Sequence, residues 1–215
     1  MDKWYSNLSF FEKEKEFISK YYPTLKYIKE NKNFKLIGEL YIKEIDDSYS
    51  IEINFLDDYP NSLPIVKEIG NDIPKELDRH ISYDGTCCLC VPQLEKYYFP
   101  KGSNIKDFLD KLVVPFFANQ AYFELTGQWI NGEYSHGYLG IYEFYREFFA
   151  IENINKILQL LQISIKTIPN FNKKCPCKCG KSIRKCHMKK ILELKKLVKI
   201  NQLKNDIYEF KIIIK

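Results

Sequence analysis

Three of the chain's seven cysteines and one of its three histidines fall in one short stretch, His80-Ile-Ser-Tyr-Asp-Gly-Thr-Cys-Cys-Leu-Cys90. The thiolate is the reactive form of cysteine, and cysteines that serve only packing tend to sit singly in apolar segments. Three within four residues, just after a Gly85-Thr86 turn, point to thiol chemistry. The other four cysteines form a second cluster, Cys175-Pro-Cys-Lys-Cys-Gly-Lys-Ser-Ile-Arg-Lys-Cys-His187. Structural zinc takes four Cys or His ligands in a tetrahedron. Cys175 and Cys177 can hold one side of such an ion, and Cys186 and His187 the other. Pro176 and Gly180 permit the turn between them, and Cys179 competes as a ligand. One site of this kind leaves no open coordination position, so the Zn2+ expected here is structural.

The elements that position these clusters follow from periodicity. Residues 8–20 place Phe10, Phe11, Phe17 and Ile18 at helical spacing with charges between, and Pro23 closes the run. Period-2 patterns then predict strands over Thr24–Ile28, Phe34–Ile42, Tyr49–Phe55 and Ile65–Ile69, with a turn at 44–48. Short connections make this an antiparallel meander. After the first thiol cluster, Asn104–Leu125 is helical, and Pro115 should break or bend it. Trp129–Gly140 is Gly-rich and carries His136, and Ile141–Gln162 is helical with a break near Asn153. Residues 168–174 read as a linker. Met188–Gln202 reads as a basic amphipathic helix and Ile207–Ile214 as a closing strand. The order predicts an α+β fold with helices on one face of the sheet, in two domains, 1–165 and 166–215.

Charge separates the same two segments. Residues 172–215 hold 14 Lys and Arg against 3 Asp and Glu, a local net of +11, which leaves −6 of the chain's +5 for residues 1–171. Such a tail suits an acidic protein or nucleic acid, although lysines solvating a surface helix account for it equally well. No apolar run approaches the ~20 residues that span a bilayer. The start, Met1-Asp-Lys-Trp, does not read as a signal peptide. Clustered cysteines in odd number fit reduced thiols in a cytoplasm better than a disulfide framework.

Two sets of motifs carry a resemblance. Tyr59-Pro60-Asn-Ser-Leu-Pro64 fixes two backbone angles in a turn between the third and fourth strands, and Gly85-Thr-Cys-Cys-Leu89 follows His80. In this order they resemble the ubiquitin-conjugating-enzyme family over roughly residues 8–160. That resemblance implies an N-terminal helix, a four-strand meander and C-terminal helices, with Cys88 as the thioester-forming cysteine and His80 organising the loop. Cys88-Leu-Cys90 further resembles the stand-alone homologues of bacterial anti-phage cyclic-oligonucleotide (CBASS) systems. This implies transfer of the C-terminal glycine of a cGAS-like nucleotidyltransferase to an acceptor, with activation by an enzyme encoded elsewhere. Cys90 then relays the acyl group or protects Cys88 by reversible oxidation; a small core residue is the plain alternative. Cys87, on the other side of an extended chain, is expected to point inward.

The family's asparagine after the histidine is missing, since His80 is followed by Ile81-Ser82. A tetrahedral intermediate still needs donors, and backbone amides around Cys88, Tyr83, Asn119 and His136 are candidates. His136 also qualifies as a histidine that raises the thiolate fraction, or as a structural residue in a Gly-rich turn. The second cysteine cluster resembles the SEC-C zinc motif, in which a serine stands where this chain has Cys179. Two other functions compete with conjugation. One is an inactive conjugating-fold binding module. The other is a zinc-bearing thiol redox or nucleic-acid-binding protein that uses Cys88 and Cys90 as a dithiol.

Overall fold

The computed structural model describes residues 4–30, 33–130 and 133–214. The chain divides into two compact units, Met1–Cys90 with Tyr98–Gly132, and Val91–Tyr97 with Glu133–Lys215. The helices that follow residue 136 therefore share a core with the second cysteine cluster, whereas the sequence placed the boundary at 165/166. Among the described residues no helix is long and apolar enough to cross a membrane.

The first unit opens with helix α1, Leu8–Tyr21, capped by the Asn7 side chain, which accepts from the Phe10 amide. This satisfies one of the free amides of the first turn. Phe11, Glu14 and Ile18 are its buried face, at spacings of three and four. Four strands follow as an antiparallel meander in the order β1-β2-β3-β4: Leu25–Glu30, Asn33–Ile42, Asp47–Asn54 and Ile65–Glu68. Leu36 faces Ile53 and Leu40 faces Tyr49 across β2 and β3, and Ile53 faces Val66 across β3 and β4. All of these are buried, so a one-residue slip would turn each to the opposite face. The four predicted strands are present with ends shifted by a few residues, as is the turn.

Two short helices, α2 (Glu95–Tyr98) and α3 (Ile105–Phe108), precede a π-helical turn over Leu109–Val113 and helix α4, Val114–Thr126. Pro115 neither breaks nor ends this run. It has no N–H to offer the carbonyl four residues back, and the wide π turn lies where that bond would be missing. Trp4 packs between Phe55 and Tyr59, ring centroids 4.8 and 5.2 Å away. Such pairs add about 1 kcal/mol each beyond area burial.

A carboxylate is built into this apolar centre. Glu14 is fully buried, accepting from the Tyr59 hydroxyl at 2.5 Å and from the Ile105 amide at 3.1 Å. Desolvation pushes its carboxyl up to about 7 against the pull of these two donors. It ties α1 to the Tyr59-Pro60 turn, whose peptide bond is cis, and to the start of α3. The helical pattern places Glu14 among the charges between the apolar positions, and the structure buries it.

The second unit is helical: α5 (Gly137–Phe149), α6 (Ile154–Ser164), α7 (Met188–Leu197) and α8 (Ile200–Ile213). Ala150 ends α5 in the left-handed region and Asn153 caps α6, which places the expected break at Asn153. Tyr145, Leu160, Leu161, Ile191, Leu194 and Phe210 are fully buried together. Asp206 lies among them, accepting from the Tyr145 hydroxyl at 2.5 Å, Gln202 Nε2 at 2.7 Å and Gln93 Nε2 at 3.0 Å.

Two expectations for the tail need correction. Met188–Gln202 is not one helix, because Val198 is extended and buried and separates α7 from α8. Ile207–Ile214 is not a strand, since Ile207–Ile213 continues α8. The β-branched Ile212, Ile213 and Ile214 suggest a strand by composition, yet they are exposed. The buried set Leu203, Asp206, Ile207 and Phe210 repeats every three or four residues, which is helical.

Candidate functional site

The thiol loop extends the sheet of the first unit past β4. The Cys87 amide donates to the Val66 carbonyl at 2.8 Å, and the Glu68 amide to the Gly85 carbonyl at 2.9 Å. The returning segment pairs with the outgoing one: Ser82 N–H donates to Thr86 O at 2.9 Å and Cys88 N–H to His80 O at 2.8 Å. Residues 80–88 thus form a small hairpin with Tyr83 at its tip, 94% exposed. Gly85 is required there. Its φ is +84°, and a Cβ would meet the Glu68 carbonyl oxygen at 2.5 Å. The turn is fastened by Asp84, which accepts from Lys67 Nζ at 2.6 Å and Thr86 Oγ1 at 3.0 Å. These contacts, Lys67 first, lower the Asp84 carboxyl to about 2.

Alternation along this extended segment sorts the thiols. Cys87 points into the core and is buried, whereas Cys88 is exposed. Burial raises the Cys87 thiol to about 12, so it is inert at neutral pH, as its parity suggested. Desolvation also raises the Cys88 thiol, to a lesser degree. Cys90 is half-buried and packs with Leu89 against the first unit's core.

The start of the loop is clamped to α4. Buried Arg79 donates from Nε to Gln120 Oε1 at 3.0 Å and pairs with Glu124, while Gln120 Nε2 donates back to the Arg79 carbonyl at 2.8 Å. The guanidinium lies 4.8 Å over the Phe123 ring, and Phe123 stacks on Trp129 at 4.6 Å. His80 adopts a left-handed backbone, φ 53°, and sets its ring 5.5 Å from Trp129. Sequence reading missed Arg79, Gln120 and Glu124. The signal was a Gln-x-x-x-Glu pair on one face of α4 with an arginine beside His80.

The candidate oxyanion donors are distributed unevenly. The Cys87 and Cys88 amides are already spent on Val66 and His80. Tyr83 and half-buried Asn119 belong to the first unit. His136 belongs to the second, preceding α5 as its N-cap residue. Gly140 of α5 packs so closely on the Ser135 carbonyl that a Cβ would come within 1.9 Å of it. That contact fixes the segment around His136.

In the second unit the cysteines of 175–187 converge. A bridge between Lys174 and Ser182 closes a tight loop, and the Cys175 amide donates to Lys181 O at 2.9 Å. Lys178 and Gly180 take positive φ to make the turn. The sulfurs of Cys175, Cys177, Cys179 and Cys186 all lie within 4.8 Å of one another. Cys186 is 3.6 Å from Cys177 and 3.5 Å from Cys179. Zn–S bonds of about 2.3 Å in a tetrahedron separate sulfurs by about 3.8 Å, so the cluster fits one metal ion. Desolvation opposes ionisation of Cys177, but donors from Cys179, Cys175 and Cys186 outweigh it and bring this thiol down to about 6.

His187 is oriented toward the same point. Its Nδ1 lies 3.1 Å from Cys175 Sγ and 3.0 Å from Cys186 Sγ, while Nε2 is 3.1 Å from the Phe149 carbonyl. A carbonyl only accepts, so Nε2 carries a proton, and Nδ1 is the ring nitrogen that faces the cluster. Backbone support of this kind is usual behind a metal-ligating histidine. The four sulfurs match the number of ligands that tetrahedral zinc takes, and His187 Nδ1 lies beside two of them, Cys175 and Cys186. In comparisons with protein-family models, curated proteins and solved structures, nothing matches the chain.

Proposed function

We propose that the first unit is a ubiquitin-conjugating-like acyl carrier, with Cys88 as its thioester-forming nucleophile. The observation that carries this reading is the sorting of neighbouring thiols: Cys88 is exposed on a hairpin pinned on both strands, and Cys87 is buried. A rigid backbone that presents one thiol to solvent suits an incoming acyl group. The Cys88 thiolate attacks the carbonyl carbon of a thioester, the carrier thiol leaves, and the acyl group moves at nearly constant energy. An amine of the acceptor then attacks the same carbon, Cys88 leaves as thiolate, and an amide results. The resemblance of Cys88-Leu89-Cys90 to the CBASS homologues implies, within this reading, that the cargo is the C-terminus of a cGAS-like nucleotidyltransferase. Within this reading the knuckle of residues 175–187 holds one zinc ion as a structural cross-link, in the manner of a SEC-C motif. The exposed lysines around it suit an acidic protein or nucleic acid, and the expected compartment is the cytoplasm.

The raised thiol of Cys88 favours a second reading, since a protonated thiol is a poor nucleophile. In it the hairpin binds a partner without reacting. A trapping experiment separates the two. The parent, Cys88→Ser and Cys90→Ser chains are incubated with a cGAS-like nucleotidyltransferase ending in glycine and an activating enzyme, then run on non-reducing gels. The carrier reading expects a thiol-sensitive adduct that Cys90→Ser retains. With Cys88→Ser, a thiol-resistant ester or no adduct is expected. An undiminished thiol-sensitive adduct on Cys88→Ser would sink the assignment, and association without any adduct in the parent chain would support the binding module.

A further inference from the structure

We propose that the exposed surface of the knuckle binds the phosphate backbone of a nucleic acid, a role that rests on the charge reading of the tail above and commits it to one class of partner. Residues 172–192 hold eight Lys and Arg and no Asp or Glu, and all eight cations are exposed. The backbone gathers them on one short hairpin. Ile183 N–H donates to Lys173 O at 2.9 Å, Cys175 N–H donates to Lys181 O at 2.9 Å, and Lys174 bridges to Ser182. Lys174 thus stands on the outgoing arm, Lys181 and Arg184 on the returning arm, and Lys178 in the turn between them at positive φ. Lys190 approaches Glu193 at 3.8 Å and the Phe148 ring at 4.6 Å. Among the described residues no carboxylate pairs with the other seven.

An acidic protein and a nucleic acid both meet such charge, and the surface between the cations separates them. A protein interface draws most of its energy from an apolar or aromatic centre. From residue 172 to 191 no large apolar or aromatic side chain is exposed: Ile183 and Ile191 are buried, and Met188 is half-buried. The nearest exposed ones along the chain, Ile168 and Leu192, lie outside that stretch. A polyanion needs no such centre, because each cation that neutralises a phosphate releases condensed counterions. With no exposed ring among the cations there is also nothing on which bases stack. The contacts are therefore to phosphate, and they carry no sequence preference. Charge elsewhere works the other way. Residues 1–171 carry −6 against +11 for residues 172–215, so a polyanion is drawn to the tail and repelled by the rest.

The experiment uses the full-length chain, and its readout involves no adduct, so its failure is separate from failure of the acyl-carrier reading. Binding of a short fluorescein-labelled oligouridine and of a mixed-sequence DNA duplex is followed by fluorescence anisotropy from roughly 50 to 200 mM salt. Log affinity for the single strand should fall against log salt with a slope of about −4, the value for about six phosphates at about −0.7 each. Replacing three cations together, Lys174→Gln, Lys181→Gln and Arg184→Gln, should make that slope shallower by about 2 and weaken binding at least about ten-fold. A control that removes three exposed cations of the first unit, Lys13→Gln, Lys26→Gln and Lys43→Gln, matches the change in net charge and should leave binding nearly unchanged. Lysine acetylation read by mass spectrometry maps the site in the parent chain, independently of how the variants fold, and should show Lys174, Lys178 and Lys181 protected by the bound strand. Absence of binding at the lowest salt, an equal loss in the two triple variants, or protection confined to lysines of the first unit would each overturn the proposal. Tighter binding of polyglutamate than of either nucleic acid would overturn it in favour of an acidic protein.

Discussion

The two cysteine clusters use one residue type in opposite ways. In the loop of residues 80–90 the backbone is extended, so successive thiols diverge, and Cys87 is buried while Cys88 is exposed. In the knuckle of residues 175–187 positive-φ turns at Lys178 and Gly180 fold the chain back, so four sulfurs converge within 4.8 Å. Divergence exposes a single thiol, and convergence brings four sulfurs to a spacing that can hold a metal ion. The supports differ as well. The knuckle is closed by short-range backbone bonds such as Cys175 N–H to Lys181 O. The loop depends on side chains from distant segments, above all Arg79 with Gln120. The knuckle should therefore respond to metal, and the loop to changes in the scaffold beneath it.

The largest expected effect breaks the convergent side. Cys175→Ser removes the buried thiol of the knuckle. Structural zinc sites in small domains contribute on the order of 10 kcal/mol of folding free energy, so one lost ligand should take zinc from about one per chain to well below half. Amide exchange should rise over residues 171–187 and leave β2 and β3 protected. Metal analysis with hydrogen exchange reads both. Full zinc retention would mean that Cys179 substitutes for Cys175 and that the donors are interchangeable.

The next effect concerns the scaffold under the loop. Glu14 has a folded pKa of about 7 against an ordinary 4.5, so the folded state holds its proton more tightly than the unfolded chain. Its contribution to stability is then fully present below about pH 4.5 and is lost as pH rises through about 7. The shift corresponds to at most about 3 kcal/mol. Glu14→Gln keeps an acceptor for Tyr59 and Ile105 without titrating. Urea unfolding between pH 4.5 and 8 should show a flatter stability profile for the variant, with the variant the more stable chain at pH 8. An unchanged slope would remove Glu14 from the account.

How much of this was legible in the sequence depends on the range of the interaction. Leu36, Leu40, Ile51 and Ile53 alternate within their own strands, so the meander was readable. The parity of Cys87 and Cys88 was equally local, and so was the meeting of Cys175, Cys177 and Cys186, which Cys179, read from the sequence only as a competing ligand, joins in the structure. Features set by distant partners were not readable. Glu14 sits in a charged run, and only Tyr59 and Ile105, far along the chain, make it a buried acceptor. Ile212–Ile214 carry a strand's composition, but the helix is decided by Leu203, Ile207 and Phe210 meeting a core supplied by α5 and α6. The passage of Val91–Tyr97 into the second unit leaves no local mark at all.

The smallest of these effects tests the divergent side directly. Arg79 is a single buried link between the first turn of the loop and α4, and Met can fill much of its volume without the charge. Arg79→Met deprives buried Gln120 Oε1 of its donor and takes the cation from over Phe123; Glu124 is about half exposed and can turn to water. An orphaned buried acceptor costs about 2 kcal/mol, which urea unfolding of the first unit should register. Position matters more than the cost. His80 follows Arg79, and its carbonyl receives the Cys88 amide, so loosening the clamp should loosen the hairpin on that side only. Exchange at the Cys88 amide should quicken at least ten-fold while the Cys87 amide, bonded to Val66 of β4, changes less. Alkylation of Cys87 should stay slow, because its burial comes from the strand side. If both amides quicken equally, the hairpin opens as one piece, and the sorting of the two thiols depends on the clamp instead of on strand parity.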